Sequence, residues 1–179
     1  MPLKERLSPG ARVLDVGCGS GRDILWLKTQ GFEATGLERS MGLSALARSN
    51  TGCSIIEADF CSFDFSTLEF DAVILVGALV HVPYHELLII LKGICGCLRP
   101  EGLALITLKE GVGKKDDETG RVFHLWRDAD LRLVFEHVHL LTVDFNRQVS
   151  KINGKDTWLT YVLQKGPLEP IMETRLDLG

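Results

Sequence analysis

The stretch Ala11-Arg12-Val13-Leu14-Asp15-Val16-Gly17-Cys18-Gly19-Ser20-Gly21 decides how this chain folds. Its first half is a short apolar run with one acid set into it, which predicts a buried strand over residues 13–16. Three glycines at alternate positions follow, and a helical pattern begins at Arg22. Glycine adopts backbone angles that other residues avoid, and it leaves room for a ligand close to the backbone. The following helix presents unpaired N–H groups and the positive end of its dipole to whatever lies on this turn.

The glycine spacing distinguishes between two kinds of nucleotide ligand. A dinucleotide fingerprint reads G-x-G-x-x-G, and its third glycine would fall at Arg22. Here the third glycine comes one residue earlier, at Gly21, and Asp15 lies two residues before Gly17. This D-x-G-x-G-x-G run resembles motif I of the class I S-adenosylmethionine-dependent methyltransferases. S-adenosylmethionine is therefore favoured over a nicotinamide or flavin nucleotide, and a tight turn without a ligand is the third interpretation.

Length and composition fit one globular domain over residues 1–179, with a short lead-in at 1–10 and a loose tail at 166–179. The 179 residues are 45% hydrophobic and 25% charged, with a formal net charge of −4. That charge disfavours a nucleic-acid partner, although it does not exclude a local basic patch. The cysteine number is odd and no signal peptide or membrane-spanning run is evident, so we expect reduced thiols, no membrane association and a cytoplasmic location.

Strand patterns alternate with helix patterns along most of the chain, which predicts an α/β sheet with an antiparallel finish. Strands are predicted at residues 13–16, 33–38, 54–57, 71–76, 103–108, 139–145 and 158–164. Helices are predicted at residues 22–30, after Ser40, from near Pro83 through Leu98 to an end before Pro100, and at 128–136. Residues 111–120 are predicted to form a polar loop. The family resemblance implies a Rossmann-like, seven-stranded, mostly parallel sheet whose last strand is antiparallel, with helices on both faces.

Two more acids follow predicted strands. Glu38 ends the second strand about twenty residues after the glycine turn, where an acid can accept both hydroxyls of a ribose. The resemblance implies that Asp59 takes the adenine amino group and that Phe60 borders the ring. The alternatives are an exposed acid at a strand end for Glu38 and a turn or cap residue for Asp59. The residues expected to bind cofactor are Asp15, Gly17, Cys18, Gly19, Gly21, Glu38, Arg39, Asp59, Phe60 and Val76.

The acceptor is expected after the fourth strand, along residues 76–83. His81 is the titratable group there and is a candidate catalytic base, with a histidine bonded to a backbone carbonyl as the alternative. No Asn-Pro-Pro-Tyr run is present, so methylation of nucleic-acid base amines is not supported. Residues 109–111 and 121–123 lie near strand ends and could shape the pocket, but a solvated loop is favoured. His137 and His139 lack a third ligand, so no metal site is expected.

The resemblance covers residues 11–163 and is nearest to soluble methyltransferases acting on quinones, thiols or oxyanions. It adds the segments Phe70-Asp71-Ala72, His81-Val82-Pro83 and Leu98-Arg99-Pro100-Glu101-Gly102. It implies transfer of a methyl group from S-adenosylmethionine to a small-molecule acceptor, leaving S-adenosylhomocysteine. The helical segment that such enzymes carry before the first strand is missing from these 179 residues. We therefore expect slow turnover unless a second subunit, a partner or a longer N-terminus covers the cleft. The alternatives are a non-catalytic or partner-dependent S-adenosylmethionine-binding module and, less favoured, a nicotinamide-dependent oxidoreductase.

Overall fold

Strands and helices alternate along residues 3–151 and 154–167, the part of the chain that the computed structural model describes. The strands are β1 Arg12–Val16, β2 Glu33–Glu38, β3 Ser54–Glu57, β4 Phe70–Val76, β5 Leu98–Lys109, β6 Lys114–Asp116, β7 Val122–His124, β8 Leu140–Val149 and β9 Thr157–Lys165. The helices are α1 Arg22–Thr29, α2 Met41–Thr51, α3 Tyr84–Gly96 and α4 Asp128–His137. Within the described residues, none of these helices has the length and apolarity that crossing a membrane requires.

Seven strands form one sheet in the order β3-β2-β1-β4-β5-β9-β8. The strands from β3 to β5 run parallel, whereas β9 is antiparallel to both of its neighbours. The predicted architecture is therefore confirmed. Because β1 pairs with β2 on one side and β4 on the other, the strand order reverses at β1. In open α/β sheets, ligands bind at the carboxyl ends of the strands beside such a reversal.

The sheet is buried on both faces because its central strands are apolar at nearly every position. Leu14 and Val16 belong to the core on the side of α3 and α4, while Val13 belongs to the core on the side that also holds Leu27 of α1. Helices thus cover both faces, as predicted. The lead-in also packs against the sheet, since Leu3 is fully buried in the second of these cores.

The largest differences from the prediction concern β5 and β6. Leu98 begins β5 rather than ending α3, because it pairs with Phe70 through an irregularity in the β4–β5 register. The predicted loop at 111–120 is wrong, since β6 lies within it and pairs with β7 as a hairpin. Its sequence lacks alternating apolar residues, and Asp117 holds the turn by accepting from the backbone N–H groups of Thr119 and Arg121. The predicted tail lies almost wholly outside the described residues, which end at Pro167.

Candidate active site

The glycine turn joins β1 to α1 in left-handed backbone conformations. The φ angles of Gly17, Gly19 and Gly21 are 73°, 56° and 86°. A Cβ on Gly21 would lie 2.7 Å from the Thr51 side chain, so this glycine lets α1 pack on α2. A Cβ on Gly19 would meet nothing within 4 Å, so this part of the turn faces open space. The turn therefore combines tight packing at Gly21 with a backbone surface at Gly19 that a ligand can approach.

Asp15 lies in β1, two residues before Gly17, and is buried, with 2% of its surface exposed. Its Oδ2 atom has no hydrogen-bond partner among the described residues. The pKa of Asp15 is raised to about 8, chiefly by burial, with the nearby Asp23 and Glu38 carboxylates adding to the rise and Arg22 opposing it. A buried carboxyl oxygen without a partner is costly, so it calls for a donor supplied by something else. A ligand ammonium group would supply both the donor and the compensating charge.

Glu38 holds the turn from the neighbouring strand. Its Oε2 accepts from the backbone N–H of Gly19 at 3.0 Å, and its Oε1 accepts from that of Ser40 at 2.8 Å. The side chain is buried to 8% exposure at the carboxyl end of β2. Each carboxylate oxygen can accept a second hydrogen bond, so two hydroxyl groups can still be bound. Glu38 therefore has the position and the free acceptor capacity that a ribose diol needs.

Asp59 and Arg39 meet across the ends of β2 and β3. The Asp59 Oδ2 atom lies 3.6 Å from Arg39 Nη1, and its Oδ1 atom accepts from the Cys61 backbone N–H at 2.9 Å. That backbone bond, with Arg39 adding less, lowers the pKa of Asp59. Phe60 is half-buried and packs against the main core. The turn role considered for Asp59 is thus present, and Phe60 follows it directly in the chain.

Cys18 and Val76 are two further residues expected to bind cofactor. The Cys18 side chain is buried in a small core with Ile24, Ala47 and Ile55, so only its backbone can face a ligand. Burial raises the pKa of this thiol to about 12. Val76 is half-buried at the end of β4.

His81 lies in a short 3-10 helix after β4, on the other side of the turn. Its Nδ1 lies 2.6 Å from the carbonyl oxygen of Val122 in β7, and its ring packs on Phe123 at 4.6 Å between centroids. A carbonyl only accepts, so Nδ1 carries the proton and the Nε2 of the neutral ring keeps a lone pair. The carbonyl bond considered above is present, and it leaves the imidazole able to take a proton at Nε2.

Three side chains near His81 were not anticipated as a group. Lys109, Phe123 and Trp158 come from β5, β7 and β9, and the Lys109 ammonium lies 3.8 Å from the centre of the Phe123 ring. The favoured loop interpretation of 109–111 and 121–123 is therefore wrong, since Lys109 ends β5 and Phe123 lies on β7. Sequence offers no signal for contacts between segments so far apart. Trp158 also borders Gly77, whose Cβ position lies 3.8 Å from the Trp158 ring.

Two of the surface clefts lie at opposite ends of the sheet. One of about 710 Å³ is lined by residues 5–11, Asp71 and residues 99–103, at the amino ends of the strands. It contains none of the residues expected to bind cofactor, and ligands of such sheets bind at the other end. Another, of about 530 Å³, lies at the carboxyl end beside Lys109 and Phe123. Among the described residues, no group of three or more His, Cys, Asp or Glu side chains has the arrangement of a metal site.

The residues present fit S-adenosylmethionine. The partnerless Asp15 oxygen suits an ammonium group, Glu38 suits a ribose, and Gly19 gives the backbone access between them. The chain matches the family model described as a methyltransferase domain over residues 13–102, half of its length.

Individual proteins agree with that match. The chain is 32% identical over 105 residues to a cycloartenol-C-24-methyltransferase of Arabidopsis thaliana, covering 51% of this chain and 31% of that protein. It is 31% identical over 105 residues to a ubiquinone biosynthesis O-methyltransferase of Xanthomonas campestris, covering 55% of this chain and 43% of that one. The aligned part thus spans less than half of either relative.

The fold is also similar to that of solved methyltransferase structures. A SAM-dependent methyltransferase structure from Methanosarcina mazei superimposes with a TM-score of 0.81, covering 94% of this chain and 99% of that one at 17% identity. At that identity the likeness concerns the fold alone. Taken with the family match, it shows that the chain belongs to the methyltransferase-domain family, in the class I fold that uses S-adenosylmethionine.

Proposed function

We propose that this chain binds S-adenosylmethionine at the carboxyl ends of β1, β2 and β3 and transfers its methyl group to a small-molecule acceptor. The observation that carries the proposal is the buried Asp15 oxygen without a partner, beside a glycine turn that Glu38 holds in place. When bound, S-adenosylmethionine supplies a methyl group on a sulfonium. The acceptor atom bonds to the methyl carbon while the carbon–sulfur bond breaks and its electron pair stays on sulfur, giving S-adenosylhomocysteine.

The protein's part in this reaction is mainly to align the reactants and exclude water. Asp15 would hold the amino group, Glu38 the ribose hydroxyls, and the Asp59–Phe60 corner the adenine. These groups come from three adjacent strands of one rigid sheet, which fixes their spacing. Such alignment is worth effective molarities of about 10⁵–10⁸ M.

On the acceptor side, His81 is the base that we propose. Its Nδ1–H bond to the Val122 carbonyl fixes the ring orientation and leaves Nε2 to take the acceptor's proton. The relatives named above carry sterol and ubiquinone-pathway methyltransferase names, which supports a small organic acceptor here. The net charge of −4 supports the same class over nucleic acid.

The proposal also places the protein in the cytoplasm. All five of its cysteines are free thiols, and Cys18, Cys95 and Cys97 are buried in apolar cores. A reducing compartment keeps thiols in that state.

The test is a calorimetric titration of the purified chain with S-adenosylhomocysteine and, separately, with NAD. We expect saturable binding of S-adenosylhomocysteine and none of NAD at the same concentration. Binding of NAD alone would overturn the proposal. A second step supplies S-adenosylmethionine with a deuterated methyl group together with a panel of small phenols and thiols, and mass spectrometry follows the label. Binding without transfer to any acceptor would favour the non-catalytic S-adenosylmethionine-binding module.

A further inference from the structure

Lys109 is an unusual cation for the end of a strand. Its side chain is only 12% exposed, and its ammonium group lies 3.8 Å from the centre of the Phe123 ring and 5.5 Å from that of Trp158. Both distances are within the range of a cation–π contact. A lysine without a binding or structural role would extend its ammonium group into water. This one is instead kept between two aromatic side chains.

The ammonium group also has donors to spare. It donates to Asp156 Oδ2 at 2.8 Å, and no other acceptor for it is present among the described residues. An ammonium group carries three N–H donors, so two of them can still donate to a ligand. Asp156 is itself shared, because its Oδ1 accepts from Lys115 at 2.8 Å. Lys109 and Lys115 thus share this one carboxylate.

These side chains lie next to the place where the methyl group would be transferred. Trp158 borders the Cβ position of Gly77, the residue directly after Val76 at the end of β4. The ring of Phe123 packs on His81, the proposed base. A cleft of about 530 Å³ opens beside them. Phe123 and Thr119 line it together with three bases and four acids, which are Lys109, Lys115, Arg121, Asp116, Asp117, Glu118 and Asp156. A small molecule in that cleft would meet a ring surface and an ammonium group together.

We propose that Lys109, Phe123 and Trp158 form the acceptor subsite, and that the acceptor is a planar molecule with an acidic hydroxyl whose oxyanion binds the Lys109 ammonium. This inference rests on the proposed methyl transfer and names its substrate class. The rings favour a flat, conjugated molecule. The unspent N–H donors favour an oxyanion, since hydrogen bonds between opposite charges are the strong ones. Lys109 thereby keeps the acceptor ionised as a nucleophile, while the released proton goes to His81 or to water.

The experiment uses 4-nitrophenol as the probe, on the full chain saturated with S-adenosylhomocysteine. The ionised form of this planar phenol absorbs visible light, so its apparent pKa can be measured while it is bound. We expect saturable binding, with the pKa of the bound phenol lower than in water because the ammonium stabilises the phenolate. The compound 4-nitroanisole, which has the same ring but no acidic hydroxyl, should bind at least about tenfold more weakly.

Lys109→Met is the decisive variant and Lys115→Met its matched control. Both remove one charge from the same carboxylate and leave Asp156 paired with the other lysine, but Lys115 is 52% exposed. We expect Lys109→Met to weaken 4-nitrophenol binding about tenfold or more and to abolish the pKa change. Lys115→Met should weaken 4-nitrophenol binding less than about threefold and should keep the change in its pKa. Should Lys109→Met fail to fold, Phe123→Leu on the hairpin should weaken binding and keep the pKa change.

The outcomes separate this inference from the proposed function. If S-adenosylhomocysteine binds but 4-nitrophenol does not, the acceptor class is wrong and the cofactor site stands. Equal losses in Lys109→Met and Lys115→Met would mean that only net charge matters, and would overturn the role of Lys109. If S-adenosylhomocysteine itself fails to bind, the proposed function is wrong, and the acceptor subsite that rests on it is wrong as well.

Discussion

The edge of the sheet where the carboxyl ends of the parallel strands meet has two halves, and they are held together in different ways. At the ends of β1, β2 and β3, side chains hold nearby backbone, as when Glu38 accepts from Gly19 and Ser40. At the ends of β4 and β5, side chains from distant segments hold one another, as when Lys109 pairs with Asp156, 47 residues away. The first half is a rigid backbone cradle with one carboxyl oxygen left free. The second half is an assembly of rings and charges around a cleft.

This difference indicates that the first half should control cofactor binding and the second half should control the choice of acceptor. A cradle of backbone N–H groups and fixed acids suits a ligand that never changes, which is the cofactor. A wall of side chains carried partly by the hairpin β6–β7 can change its lining without disturbing the sheet, which suits an acceptor specific to this protein. Substitutions in the first half should therefore affect cofactor binding and stability. Those in the second half should leave cofactor binding alone.

The largest effect is expected at Gly21. Gly21→Ala should lower the free energy of unfolding by about 3 kcal/mol, because the methyl group is forced into a left-handed conformation and against α2. The added Cβ would lie 3.2 Å from the Cα of Ala47, which is backbone and cannot turn aside. Gly19→Ala is the matched control, since it shares the backbone strain but meets no atom within 4 Å, and should cost about 1 kcal/mol. Urea denaturation measures both, and equal losses would contradict the packing role.

Glu38→Ala should come next, with binding of S-adenosylhomocysteine weakened by about 2–3 kcal/mol because the ribose loses a charged partner. Glu57→Ala is the control, because Glu57 lies beside Glu38 in the β2–β3 register but pairs with Arg48 at 3.5 Å. Its effect on binding should stay within about 0.5 kcal/mol. Calorimetry measures the affinity of both variants for S-adenosylhomocysteine. An unchanged affinity in Glu38→Ala would show that Glu38 does not bind the ribose.

The pH dependence of binding tests Asp15. Its pKa of about 8 means that the free protein holds this carboxyl protonated near pH 6, whereas binding an ammonium group requires the carboxylate. Binding must then release a proton, so affinity for S-adenosylhomocysteine should rise about tenfold per pH unit between about pH 6 and 7 and level off above 8. Asp15→Asn should bind more weakly and lose this slope. A flat profile in the unaltered chain would show that Asp15 is not the ammonium site.

The smallest effect on the cofactor is expected from His81→Asn. The asparagine amide can still donate to the Val122 carbonyl, so the 3-10 helix keeps its link to β7 while the basic Nε2 is lost. Affinity for S-adenosylhomocysteine and the free energy of unfolding should each change by less than about 0.5 kcal/mol. Turnover of an acceptor should fall much more. Comparable losses in turnover and affinity would instead make His81 a structural part of the cofactor half.

The layout of the half proposed to bind cofactor could be predicted because its signals are local. The glycine spacing fixes a strand-to-helix turn, and Glu38 and Asp59 follow strands whose apolar runs are plain in the sequence. Ser40 is expected to cap α2 and does so, with its side chain accepting from the Leu43 N–H. The order of the strands adds no uncertainty, because parallel strands joined by helices bring their carboxyl ends together.

The acceptor half could not be predicted because it depends on contacts between segments far apart in the chain. The sequence of β6 is Lys-Lys-Asp, which has no strand pattern, and it is a strand only because β7 pairs with it. Tyr84 donates to the Leu125 carbonyl from 41 residues away, fixing α3 to the segment after β7. The position of Lys109 at the end of a strand was visible. Its enclosure by Phe123 and Trp158 was not.

The most direct measurement of the central claim is a crystal structure of the chain with S-adenosylhomocysteine bound. We predict that the ligand's amino nitrogen lies about 3 Å from Asp15 Oδ2 and that both ribose hydroxyls donate to the Glu38 carboxylate. The Glu38 bonds to Gly19 and Ser40 should persist, since the cradle is already formed. A nucleoside bound elsewhere, for example at the amino-end cleft beside Arg99, or an Asp15 Oδ2 that still has no partner in the complex, would contradict the account.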